Sequence, residues 1–125
     1  MISDRNVKKD FAAVDPQAIL EKLAALPITQ WHYQWEEENI TPHIGPMAQD
    51  FHAAFGLGTD DKHIATVDAD GVAMAAIQGL NQKLETGSLK SEVRIHKLEA
   101  ENAELKQRLE KLEQLMSLKL NGGAR

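Results

Sequence analysis

At 125 residues, 42% of them hydrophobic, the chain has the size of about one domain with room for one modest core. A formal net charge of -5 offers nucleic acid no basic surface, and no stretch approaches the roughly 20 apolar residues that a membrane-spanning helix needs. The lack of cysteine removes disulfides, thiol nucleophiles and cysteine-held zinc, and the opening MISDRNVKKDF has no apolar run of the signal-peptide kind.

The first stretch, SDRNVK, is polar, and Ser3 and Asp4 are both good helix caps. In DPQAILEKLAALP, Asp15 caps a helix whose first position is Pro16; Ile19, Leu20, Leu23 and Leu26 share a face, and Pro27 stops it. ITQWHYQW then alternates, which predicts a strand carrying Trp31, Tyr33 and Trp35 on one side. An acidic turn over EEEN returns through HIG as the pairing strand. Pro46 opens a helix with Met47, Ala48, Phe51, Ala54 and Phe55 on its inner face and Gly56 or Gly58 as its stop. A short strand is expected within DDKHIATVDADG, with Asp68 and Asp70 capping a further helix that starts near Gly71. In that helix Val72, Ala76, Ile77, Leu80 and Leu84 are expected to form one face. The fold class is α+β and mainly helical, a small head with a short hairpin and helices followed by a long C-terminal helix.

Composition changes at ETGS, which divides the chain into a head, residues 1–86, and a coiled coil with a frayed tail, residues 87–125. Placing Ile95 at heptad position a puts Leu98 at d, Asn102 at a, Leu105 at d, Leu109 at a, Leu112 at d and Met116 at a. Charges at g and the following e are opposite in each pair, Arg94 with Glu99, Glu101 with Lys106 and Arg108 with Glu113, as parallel strands require. A surface helix folded back on its own domain would explain the leucines but not these pairs. Periodicity alone leaves dimer and trimer open.

Ser3 and Lys8 stand close enough in sequence for one turn to join them. A serine becomes a nucleophile when a base takes its proton, and lysine serves only if burial or neighbouring positive charge lowers its pKa from about 10.4. Spacing alone does not separate catalysis from capping. His43, Gln49, Asp50, Asp60, Asp61, His63, Asp68 and Asp70 include metal-ligand types, but they lack the HExxH spacing and the EF-hand pattern, so no metal site is assigned. No cofactor motif is present. The aromatic face of Trp31, Tyr33 and Trp35 suits a sugar, yet a chain with few aromatics more commonly spends them on a core or an interface.

SDRNVK, WHYQW followed by HIGPMAQDF, and GLG with IATVDADGVAMAAIQGLNQKL, in this order and leading into a helical tail, resemble the C-terminal intramolecular chaperone and self-cleaving domain of phage endosialidases, tailspikes and tail fibres, also found on some bacterial surface proteins. The resemblance spans residues 3–84. It implies a homotrimer that helps an upstream β-rich client fold in cis and then cuts itself free at the Ile2-Ser3 bond, with Ser3 as nucleophile, Lys8 as base and Lys9 outside the pair. It also implies a virion tail or bacterial surface location, with assembly in the host cytoplasm, while charge and hydropathy predict no nucleic-acid or membrane partner. Only Met1 and Ile2 precede the serine here, so the client is expected to be missing from this sequence, as in an excised domain. The rival reading, from another class, is a non-cleaving trimerisation module in which SDRNVK is only a cap.

Overall fold

The computed structural model describes residues 1–123. After a 3-10 turn at Arg5–Val7 come α1 (Pro16–Ala25), β1 (Thr29–Trp31), β2 (His43–Gly45), α2 (Ala48–Phe55) and α3 (Thr66–Gly123). This is a small head with a hairpin and a long C-terminal helix, as the sequence pattern predicts. Two compact units divide at Leu84 and Glu85. In each case, local chemistry decides where an element begins and ends.

The Asp15 carboxylate accepts from the Gln17 and Ala18 amides at 3.1 and 3.3 Å, satisfying two donors that the start of α1 would otherwise leave open. Leu26 is extended and leads into Pro27, so α1 ends there. β1 and β2 pair antiparallel, with Thr29 opposite Gly45, Gln30 opposite Ile44 and Trp31 opposite His43. The predicted strand is longer than the observed one. Beyond Trp31 the chain turns, with the Glu36 amide donating to the Tyr33 carbonyl at 3.1 Å and the Glu36 carboxylate receiving the Tyr33 amide at 2.8 Å. Those bonds take backbone groups that a longer ladder would have used.

α2 ends at Gly56, whose φ of 63° is the left-handed geometry that closes a helix and whose amide reaches the His52 carbonyl at 2.8 Å. The short strand expected after it does not form. Asp60 instead accepts from the Lys62 and His63 amides at 2.8 and 3.0 Å, and this capped turn feeds directly into α3. The expected helix start near Gly71 also moves. Ala65 receives the Asp68 and Ala69 amides, so Asp68 lies inside the first turn, where its charge complements the helix dipole, and Asp70 and Gly71 follow within the helix. At the far end, Asn121–Gly123 are helical where fraying was expected, and residues 124–125 lie outside the described residues.

The core of the head is Leu26 from the end of α1, Phe51 from α2 and Val72 from α3, with Ile19, Leu23, Ala54, Phe55 and Ile64 packed around them. Phe51 and Phe55 hold their rings 5.0 Å apart at a tilt. Gly79 is where α1 meets α3: a Cβ there would lie 2.6 Å from the Pro16 carbonyl carbon, so only glycine admits this approach. The single face expected on α3 is split. Val72 and Ala76 are buried, whereas Ile77, Leu80 and Leu84 are exposed. The reason is angular, since Ile77 follows Val72 by five residues, about 140° further around a 3.6-residue helix.

Candidate active site

SDRNVK folds into a closed local unit. The Asp4 side chain accepts from the Asn6 amide at 2.9 Å and from the Asn6 side-chain nitrogen at 3.0 Å, while its carbonyl receives the Val7 amide at 3.2 Å. Asp4 is thus the cap of the 3-10 turn at Arg5–Val7, and Lys8 leaves that turn in extended geometry, its amide 3.4 Å from the Arg5 carbonyl. The turn reverses the chain so that its two flanking side chains meet. Lys8 Nζ donates to Ser3 Oγ at 2.6 Å. No such bond joins Lys9 to Ser3, and the backbone at Asp10 then takes a φ of 58°, the left-handed region that aspartate enters more readily than most residues.

This is the contact a serine-lysine pair needs, in the direction that holds before proton transfer. With an ammonium the lysine donates to the hydroxyl; with a neutral amine the same line carries the hydroxyl proton to nitrogen. Ser3, Lys8 and the rest of residues 1–14 are exposed in the single chain. Ile2 directly precedes Ser3 and is exposed as well.

The other predicted candidates scatter. His43 Nε2 lies 2.9 and 3.1 Å from the two Glu36 oxygens, and His63 Nδ1 lies 2.9 Å from Asp60. Among the described residues no three histidines or carboxylates converge on one point. The Glu36 carboxyl is held below its ordinary pKa by the Tyr33 amide first, with the His43 hydrogen bond adding to it. Asp60 is lowered likewise, by the Lys62 amide first and then by His63.

The aromatic face persists although only Trp31 lies in a strand. Trp31 meets Tyr33 edge-on at 4.8 Å, Tyr33 stacks on Trp35 at 4.5 Å, and His43 lies 4.9 Å from Trp31. The rings spend their faces on one another, which suits a surface brace better than a sugar platform. Beside them runs an open groove of about 780 Å³, lined by Trp31, Tyr33, Ile44, Met47 and His63 among others. The hydrogen bond between Glu36 and His43 was not read from the sequence. Its signal was the hairpin itself, since an acidic turn followed by HIG puts a carboxylate beside the returning strand.

Residues 3–56 match a peptidase family described as chaperone of endosialidase. Over these residues the head is similar to the intramolecular chaperone domain that this description names. The matched segment begins at Ser3 and includes the serine-lysine turn, the hairpin and α2; it ends at Gly56, short of residue 84, where the sequence resemblance ends. No curated protein and no solved structure matches the chain.

In the tail unit Ile95, Leu98, Leu105, Leu109 and Leu112 are all exposed in the single chain, and Asn102 with them. Arg108, predicted to pair with Glu113 of another strand, donates here to Glu104 of its own helix at 2.8 Å. Such a surface pair contributes about 0.3–0.5 kcal/mol, so exchanging it for an interchain partner costs little. No helix among the described residues is long and apolar enough to cross a membrane.

Proposed function

We propose that the chain is a homotrimeric intramolecular chaperone that assists folding of an upstream β-rich polypeptide, of the tailspike or tail-fibre kind, and then releases itself by cutting the Ile2-Ser3 bond. The observation that carries this reading is the 2.6 Å hydrogen bond between Lys8 Nζ and Ser3 Oγ, at the first residue of the matched chaperone segment. Lys8, once neutral, takes the Ser3 hydroxyl proton while Oγ attacks the Ile2 carbonyl carbon. The C-N bond to Ser3 breaks and the proton passes to the departing amine, leaving Ile2 as an ester on Oγ. Water then opens the ester, giving an Ile2 carboxylate and restoring the Ser3 hydroxyl. The attack closes a compact ring within the chain, so no separate substrate pocket is required and one turnover suffices.

Lysine is a base only when it has lost its proton, and desolvation is one way to favour that state. In the single chain the pair stands in water, and assembly is the step that supplies cover. Cutting is thereby tied to trimer formation, which keeps release from preceding the folding of the client. A non-cleaving trimerisation module is the second reading, and the exposure of Ser3 and Lys8 is the observation in its favour.

Fusion of the chain behind an upstream β-rich client tests the choice. The expected product is a released fragment whose N-terminal residue is Ser3, absent from Ser3→Ala and Lys8→Ala fusions that still assemble and present with Lys9→Ala. Efficient release by the Ser3→Ala fusion would remove the serine mechanism, and no release by the unaltered fusion once it has assembled would leave the non-cleaving module.

A further inference from the structure

The turn that joins Ser3 to Lys8 is held by little besides the Asp4 side chain. It spans Arg5–Val7, and none of its residues is buried, so packing against the rest of the head does not keep it in shape. Its backbone hydrogen bonds are long, 3.2 Å from the Val7 amide to the Asp4 carbonyl and 3.4 Å from the Lys8 amide to the Arg5 carbonyl, at and beyond the upper end of the usual range. Shorter bonds converge on Asp4 Oδ1, which accepts from the Asn6 amide at 2.9 Å and from Asn6 Nδ2 at 3.0 Å. A single turn fixes several dihedral angles in exchange for very few backbone bonds, so in water it is marginal without such side-chain support.

We infer that Asp4 and Asn6 are the positioning residues of the serine-lysine pair, and that what Asp4 contributes to cutting is an acceptor oxygen rather than a negative charge. The inference rests on the proposed self-cutting and extends it to residues beyond Ser3 and Lys8. With the Asn6 amide bound to Asp4 Oδ1 the turn is closed, Lys8 leaves it in extended geometry, and Lys8 Nζ reaches Ser3 Oγ at 2.6 Å. Without that bond the flexible lysine stem has many other positions open to it, and proton transfer requires hydrogen-bond reach. The Asn6 side chain adds a second link to the same oxygen, so the carboxylate is gripped by a backbone amide and a side-chain amide together. Nothing in the proton transfer calls for an anion at this position, because the lysine that receives the Ser3 proton must already be neutral. An uncharged acceptor of the same reach serves as well.

Asparagine and serine cap a turn of this kind about as well as aspartate does, whereas alanine offers no acceptor, a difference of about fivefold in the population of the capped form. Glutamate keeps the charge but sets its oxygens further from the backbone. These substitutions therefore separate the acceptor from the charge.

The client fusion is made with Asp4→Ala, Asp4→Asn, Asp4→Ser, Asp4→Glu and Asn6→Ala. Release of the fragment that begins at Ser3 is timed between about pH 6 and 10 in fusions shown by sedimentation to have assembled. Asp4→Ala should cut about fivefold more slowly or worse, with the shape of its pH dependence unchanged, because position is lost and the titrating base is not. Asp4→Asn and Asp4→Ser should come within about twofold of the parent, and Asp4→Glu should stay slow. Asn6→Ala, which keeps the amide and loses Nδ2, should fall between.

Asp4→Ala cutting at the parental rate would overturn the inference. So would Asp4→Asn and Asp4→Ser as slow as Asp4→Ala, and parental speed in Asp4→Glu would then assign Asp4 a role through its charge. Parental speed in Asn6→Ala would overturn the part given to Asn6. Where Asp4→Ala does not assemble, the contrast of Asp4→Asn and Asp4→Ser with Asp4→Glu decides the matter by itself. These outcomes leave the proposed self-cutting in place, whereas no release by the assembled unaltered fusion removes that reading and the inference with it.

Discussion

The head and the tail bury apolar residues by opposite routes. In the head, Leu26, Phe51 and Val72 come from three separate elements and cover one another within one chain. In the tail, every described residue belongs to one helix, and Leu98, Leu105, Leu109 and Leu112 have no cover from their own chain. A single helix cannot bury its own stripe, and these leucines are the residues that the proposed assembly would cover. The head's core is made within its own chain, whereas the tail's leucines find no cover there.

Breaking the tail should have the largest effect. Leu105→Lys with Leu112→Lys places unpaired charges in the seam, where burial is costly without a partner. Sedimentation of the double variant should show monomers, and its fusion should fail to cut even though Ser3 and Lys8 are untouched. Full-speed cutting by a demonstrably monomeric double variant would show that the dyad works within one chain.

Breaking the head should give a smaller, graded loss. Phe51→Ala removes the ring at the centre of the three-element core and should cost about 3–5 kcal/mol. Both tryptophans belong to the head, so their fluorescence during urea unfolding isolates its stability from the tail's. An unchanged midpoint would mean that the core does not hold the head together.

The smallest effect concerns the hairpin and acid. A carboxylate with a lowered folded-state pKa stabilises above its unfolded value and loses that contribution as pH falls through the folded one. For Glu36, with an ordinary value of 4.5, the window therefore lies below about pH 4.5. Fluorescence of Trp31 and Trp35 should stay level from pH 7 to 5 and change below that window, with Glu36→Gln removing most of the change. A transition of the same size in Glu36→Gln would assign it elsewhere.

What the sequence disclosed tracks how local each cause is. α1 was legible because Asp15, Pro16 and Pro27 set both of its ends within their own neighbourhood. Lys8 meets Ser3 through a turn capped by Asp4, although spacing alone could not distinguish that contact from chance. The split of α3 was hidden, because the cover on Val72 comes from Leu26 and Phe51, both distant in sequence. The expected strand near Ile64 failed for a near cause that composition obscures. Asp60 could cap a turn or merely decorate a loop, and the amides of Lys62 and His63 decide it.

At Gly79 the backbone of α3 touches the backbone of α1 at Pro16, with no side chain between them. A contact of this kind has no rotamers to absorb displacement. A turn of α3 about its own axis at Gly79 therefore becomes a push on the start of α1. Residue 16 lies only eight positions after Lys8, so the helix and the serine-lysine turn are joined by a short tether. Gly79 is thus a bearing made of backbone alone, by which a shift of α3 reaches the start of α1 undamped.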